Sequence, residues 1–251
     1  MPDTTFPTIE RRFVQAIAVA AGLSPDRFDR PGTIVVPAAD REGSRVAVVY
    51  GIGRASLVWC DPAVADRVAV LGDESVTFPV EQVEEWAVTV GAELAGGAWS
   101  HLVDGAGLVD PEMIEGHTFR LLDGESVGDR ALIEGLVAVC GEDDAEYAEI
   151  DMDDLDPLLA GLIDGTGELA GYAGGLPWEN DEAFWDIGVL SHVEHRNRGL
   201  GRSVVAGISR EILTRGHLPL YRCNWDRAPS RRLALSVGFR EVLSLAAVRF
   251  E

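Results

Sequence analysis

Apolar positions along this chain change their spacing several times, and each change predicts an element. "TIERRFVQAIAVAAGL" carries the helical period, and three β-like runs follow it: "GTIVVP", "SRVAVVYG" and "ASLVWC". Asp61 followed by Pro62 predicts a helix start, an N-cap with proline at the first helical position. "DPAVADRVAVL" and "PVEQVEEWAVTVGAEL" return to helical spacing. The glycine- and turn-rich "GGAWSHLVDGAGLVDPEM" keeps neither period and predicts a domain boundary near residue 115. That divides the chain into an N-terminal α/β region, residues 1–115, and a second domain, residues 116–251.

The second domain has the clearer order. "HTFRLL" reads as a short strand, "DGESVGDRALIEGLVAVCG" as mostly helix, and "EDDAEYAEIDMDDLD" as an acidic helix or loop. "PLLAGLIDG", "GELAGYAGGL" and "EAFWDIGVL" read as three strands joined by the turns "DGTG" and "PWENDE". From Gly199 onward Leu200, Val204, Ile208 and Ile212 fall four apart on one helix face. "LPLYRC" is a strand, "APSRRLALSVGF" a short helix, and "REVLSLAAVRF" a last strand. No internal repeat is evident, although both halves are α/β and read equally well as diverged copies.

Composition narrows the class. With 47% apolar and 25% charged residues, the 251-residue chain reads as an ordinary soluble globular protein. No run approaches the length of a membrane-spanning helix, and "MPDTTFPTIERR" lacks a signal-peptide pattern, so a cytoplasmic location is expected. Cys60, Cys140 and Cys223 are odd in number and far apart, which fits buried or free thiols in a reducing compartment. CxxC and HExxH spacings are absent, so no metal is expected. The net charge is −21, all 21 basic residues are arginine, and the charges are segregated. Between Leu121 and His195 stand 20 acids against one arginine; from Arg196 to Glu251 stand 11 arginines against four acids. Two readings fit, a solvated surface or a domain with one end receptive to anions and the other to cations.

At the changeover lies "HRNRGLGRS", residues 195–203, between a strand and a helix. Gly199 and Gly201 let the backbone turn tightly with its N–H groups bare, and Arg196, Arg198 and Arg202 place cations beside the turn. Bare N–H groups, arginines and a helix N-terminus are what a phosphate needs. Two other motifs are decoys. "YGIGRAS" lacks the third glycine of a dinucleotide fingerprint and is followed by a β-like run, so it reads as a hairpin. "DMDDLD" lacks the glycine and terminal glutamate of a calcium loop and reads as a solvated turn.

With its strand order, "RNRGLG" resembles the signature R/Q-x-x-G-x-G/A of the GNAT superfamily of acyl-CoA-dependent N-acyltransferases, falling on Arg196, Gly199 and Gly201. A second match is "NWDRAPSRRLALSVGF", which looks like the family's later block and is closest to a bacterial subgroup with zwittermicin-type resistance enzymes. The resemblance covers about residues 117–251 and implies a mixed, mostly antiparallel central sheet flanked by helices. It implies acetyl-CoA as co-substrate. Val189, Leu190 and Ser191 would offer main-chain hydrogen bonds to the pantetheine, and the N–H groups of Arg198, Gly199, Leu200, Gly201, Arg202 and Ser203 would face the pyrophosphate. Asn224, Ser230 and Arg231 become candidate contacts to the pantetheine or adenosine portion; Asn224 reads equally as a turn residue.

The chain also departs from the family. Where many members have a tyrosine general acid it has Ala234, and where another subset has asparagine it has Arg227, so no general acid is assigned. Tyr221 and Cys223 lie on the adjacent strand, where packing accounts for them equally. Transfer to an amine also needs a proton acceptor. Asp186 is a carboxylate inside the apolar run "FWDIGVL", costly there unless used or paired, and is read either as that acceptor or as a solvated edge residue. Glu194 and Glu149 are further candidates. The expected activity is transfer of an acetyl group to a primary amine of a small, cationic acceptor, with a non-catalytic acyl-CoA sensor as the alternative. The net charge of −21 argues against nucleic acid as a partner. The first 115 residues read as a degenerate copy of the same domain, a dimerisation module forming a homodimer, or a wall of the acceptor pocket.

Overall fold

Ile9, Phe13, Ala16 and Ile17 recur at helical spacing, and in the computed structural model of the chain all four are buried along one face of α1 (Phe6–Ala20). The structure describes residues 6–73, 75–110 and 114–251. Three strands follow: β1 (Gly32–Pro37), β2 (Val46–Ile52) and β3 (Ala55–Cys60). β2 and β3 form the hairpin expected of "YGIGRAS", with Gly53 at φ 58° in its turn. Asp61 caps the next turn, accepting the Ala63 N–H at 2.9 Å, and Pro62 opens the helical segment that runs into α2 (Ala65–Val68). After α3 (Val83–Thr89) comes β4 (Ala92–Leu102).

β4 occupies the start of the segment whose glycines predict a boundary. The glycines there mark a close approach rather than a turn. A Cβ on Gly97 would lie inside the Trp225 indole, and the Trp225 backbone N–H donates to the Gly97 carbonyl at 2.9 Å. Pro111–Met113, the end of that same segment, lie outside the described residues.

The later elements follow the pattern closely: β5 (Thr118–Leu122), α4 (Val127–Cys140), α5 (Glu142–Tyr147), β6 (Leu158–Ile163), β7 (Leu169–Trp178), β8 (Asp181–Ser191), α6 (Leu200–Thr214), β9 (Leu218–Asn224), α7 (Ala228–Val237) and β10 (Arg240–Phe250). No helix among the described residues is long and apolar enough to cross a membrane.

Two compact units result, neither contiguous in sequence. One contains Leu102–Tyr221 and Arg232–Arg240, the other Pro7–His101, Arg222–Arg231 and Glu241–Glu251. In the second, the strand order is β1-β3-β2-β10-β4, antiparallel at β2–β3 and β2–β10 and parallel at β1–β3. In the first, the order is β5-β6-β7-β8-β9, antiparallel throughout except for β8 beside β9. The expected class, a mixed and mostly antiparallel sheet flanked by helices, is the one observed.

Side-chain alternation in β7 decides which helix lies on which face. Gly171 and Gly175 meet Leu200, Val204, Ile208 and Ile212 of α6, while Tyr172 packs with Ile133 and Leu136 of α4 on the opposite face. α6 and the acidic α4–α5 segment therefore flank opposite sides of the same strands.

Candidate active site

β8 and β9 run parallel, and their pairing covers only Phe184–Leu218, Trp185–Pro219 and Asp186–Leu220. β8 continues beyond it, so from Asp186 onward its edge Ile187–Ser191 has no strand partner on that side among the described residues, a wedge in the pairing whose closed end is Asp186. β7 pairs with the other edge of β8 along that stretch, from Gly171–Ser191 to Gly175–Ile187. Main-chain groups of β8 that point away from β7 are thereby presented to the wedge. Val189, Leu190 and Ser191, the residues singled out for main-chain contacts, lie on this edge, with the Leu190 side chain buried toward α4.

From the mouth of the wedge the chain enters the arginine loop. His192 caps a single 3-10 turn through Glu194 N–H, and the His192 and His195 rings lie 4.8 Å apart. Asn197 (φ 63°) and Gly199 (φ 85°) are both left-handed, which swings the chain into α6. Gly199 is the N-cap of α6 and brings no capping side chain to the first N–H groups of the helix, whose ladder begins with Ser203 N–H donating to the Gly199 carbonyl at 3.0 Å. Leu200 anchors the turn in the core at 2% exposure, and Ser203 is buried behind it. Gly201 is where α6 meets the wedge: a Cβ there would stand 3.3 Å from Ser191 Oγ and 3.2 Å from Leu233 Cδ2 of α7. The structure thus brings the β8 edge and the glycine loop together, although seven residues separate Ser191 from Gly199.

The arginines do not behave alike. Arg198 is exposed and Arg202 half-buried. Arg196 is engaged by Asp144 of α5 at 2.6 Å, an ion pair that joins the loop to the acidic segment. Asn224, Ser230 and Arg231 belong to the other unit. There Arg231 pairs with Glu241 at 2.8 Å and stacks over Trp99 at 4.7 Å. Ala234 is fully buried in α7, and Tyr221 is buried with its ring 5.7 Å from Phe239.

The carboxylates sort by depth. Glu194 is exposed on the loop. Asp186 is 4% exposed, and its Oδ1 accepts the Ile187 N–H at 3.1 Å. On the α4–α5 face two glycines lie opposite each other, Gly174 on β7 and Gly188 on β8. A Cβ on Gly188 would collide with the Ala148 carbonyl oxygen, and one on Gly174 with the Asp156 carboxylate. The pattern of "DMDDLD" predicts only a solvated turn for Asp156, yet its side chain leans over the sheet here. Burial pushes its carboxyl up to about 7, helped by the negative charges of Glu149, Asp186 and Asp154. Outside this point the acidic face forms an open cleft of about 530 Å³ lined by Glu142, Glu146, Glu149 and Asp151 over Val137, Ile150 and Met152.

Because the Gly188 site has backbone rather than a flexible side chain against it, Gly188→Ala should destabilise the protein by about 2–3 kcal/mol in chemical denaturation. Stability equal to the parent would mean that α5 does not press on β8 as described.

A model of the family described as FR47-like protein matches residues 186–248, from the buried acid of β8 to the last strand. No curated protein matches the chain. Among solved structures, a GCN5-related N-acetyltransferase from Sphaerobacter thermophilus is similar over 99% of this chain and 94% of its own, with 15% identity and a TM-score of 0.54. An acetyltransferase from the GNAT family of Colwellia psychrerythraea is similar over 77% and 76%, with 10% identity and a TM-score of 0.52. The fold is that of the GCN5-related N-acetyltransferases. A third example of it, from Kribbella flavida, overlaps 66% of this chain and 63% of its own, with 17% identity and a TM-score of 0.50. Within the GCN5-related fold of this chain, the wedge and the glycine loop fall inside the stretch that the FR47-like model covers.

Proposed function

We propose that the protein is an acetyl-CoA-dependent N-acetyltransferase acting on a primary amine of a small, cationic acceptor, with the chemistry carried by residues 116–251. The observation that supports this most is the wedge between β8 and β9 leading straight into an uncapped helix N-terminus. A long, amide-containing thiol ester ending in phosphates fits that sequence of groups. The β8 edge at Val189–Ser191 pairs with amides, the N–H groups at the start of α6 from Leu200 hold a pyrophosphate, and Arg198 and Arg202 add charge. The Ser203 N–H, expected to join them, is taken by the Gly199 carbonyl at 3.0 Å. When bound, acetyl-CoA supplies an acetyl carbonyl activated as a thioester.

The acceptor class follows from the opposite face. Four acids line the cleft beside α5 over an apolar floor, which favours a cation with an apolar stem. With acetyl-CoA, a panel of amines and a thiol-release readout, the protein should turn over polyamine-like or aminoglycoside-like compounds. Their apparent KM should rise about three- to tenfold between roughly 0.05 and 0.5 M salt, as exposed charge attraction is screened. Coenzyme A binding without thiol release from any amine would identify a sensor instead, and activity confined to anionic or neutral acceptors would remove the cationic preference.

A further inference from the structure

Tyr172 is 1% exposed, and its hydroxyl has no hydrogen-bond partner among the described residues. A buried hydroxyl left so is costly and calls for a purpose. The Oη lies 2.7 Å from the point where a Cβ on Gly174 would sit, the point the Asp156 carboxylate also crowds. Phenol and carboxylate thus converge over Gly174. Gly174 and Gly188 face each other across β7 and β8, and because both lack side chains the sheet admits the Asp156 carboxylate over the first and the Ala148 carbonyl over the second. Gly188 is itself on the β8 edge that borders the wedge. The Asp156 carboxylate therefore stands about one strand spacing, roughly 5 Å, from that edge.

We propose that Asp156, with the Tyr172 hydroxyl beside it, is the proton acceptor for the amine, a catalytic role that rests on the acetyltransferase reading above. The ammonium form of the acceptor gives one proton to the Asp156 carboxylate and becomes the free amine. The amine nitrogen then bonds to the thioester carbonyl carbon, the carbon–sulfur bond breaks with its electron pair going to sulfur, and the second nitrogen proton ends on that sulfur. Asp156 returns its proton to solvent, so one ammonium and one thioester give one amide, one thiol and one proton. The Tyr172 hydroxyl donates to whichever of carboxylate or acceptor needs it.

The groups facing Asp156 are Tyr172 from β7, Asp186 from β8, Glu149 from the turn after α5, and Asp154 from its own loop. The three acids act in one direction. Together with burial they bring the carboxyl to about 7, where it is half-ionised at neutral pH and exchanges a proton readily. In the same way burial and the Asp156 charge push the Tyr172 phenol upward, so it stays a donor. Asp186 is a positioning residue in this arrangement: its buried charge holds the Asp156 proton.

The test compares full-length parent, Asp156→Asn and Asp156→Glu. Carbon-13 NMR of the carboxyl groups should show one aspartate titrating near neutrality that disappears in Asp156→Asn. With a polyamine acceptor, kcat of Asp156→Asn should fall about 10²- to 10⁴-fold at pH 7 and recover toward pH 10, where free amine is abundant. Asp156→Glu should restore part of the rate, and acetyl-CoA affinity by calorimetry should stay within threefold in both. Parent-like kcat for Asp156→Asn from pH 6 to 10 would overturn the assignment and leave the acetyltransferase reading intact. A parent that turns over no amine at all would instead bring down that reading and the assignment with it.

Discussion

Gly201→Glu should lose coenzyme A binding by 100-fold or more while remaining folded, and Gly201→Ala should lose far less. Both substitutions place the same Cβ 3.2 Å from Leu233 Cδ2 and 3.3 Å from Ser191 Oγ, a tight fit that the movable ends of those side chains can absorb. That shared strain should cost each variant about 1–2 kcal/mol of stability. Only glutamate adds a negative charge at the uncapped start of α6, where the N–H groups would otherwise face phosphate. Two like charges about 4 Å apart near a surface repel by roughly 4 kcal/mol, and 100-fold in affinity needs about 2.7 kcal/mol. Isothermal calorimetry with coenzyme A on all three proteins reads the difference. A folded Gly201→Glu variant with the parent's affinity would show that phosphate does not bind at this helix start.

How much of this was legible depends on whether the cause is local. The strands and helices around the site were, because apolar spacing in "GELAGYAGGL", "EAFWDIGVL" and the stretch from Leu200 to Ile212 is set by the faces each element buries. The glycine loop was also legible, since Gly199 needs its left-handed backbone wherever the rest of the chain goes. β4 was not. Gly96 and Gly97 look like turn residues until Trp225, more than 120 residues later, is seen lying on Gly97. The same holds for Arg196, whose partner Asp144 lies 52 residues away in a stretch that reads as solvated charge. Asp186 could be picked out because it interrupts an apolar strand. Asp156 could not, because its own neighbours are acids in a polar turn. Its depth comes from Gly174 and Gly188, and only the register of β7 against β8 sets those two glycines face to face. Facing glycines in adjacent predicted strands, with an acid at the start of the preceding strand, were the one signal available.

Asp156→Asn should make the protein more stable at pH 8, by roughly 2–4 kcal/mol, and leave it nearly unchanged at pH 4. The carboxyl titrates at 3.8 when unperturbed and at about 7 in the fold, so between those values the folded chain holds a proton that the unfolded chain has lost. The folded state binds more protons, and stability therefore falls as pH rises through that window and levels off above pH 7. Each tenfold gain in proton affinity on folding corresponds to about 1.4 kcal/mol, and a partly hydrated carboxylate recovers some of the total, which gives the range stated. Asparagine fills the same space without ionising, so it escapes the loss. In a chain of this size the gain should appear as about 5–10 °C in Tm at pH 8, shrinking steadily as the pH is lowered to 4. Urea melts of both proteins at pH 4, 6 and 8 would measure it, and equal stability at all three would mean that Asp156 is not held in a charge-averse place. A more stable variant that is also slower would explain why a destabilising acid stands here. An ionisable group is useful to a proton transfer only where its two charge states are close in free energy, and in a folded protein that closeness is reached by making the charged state expensive.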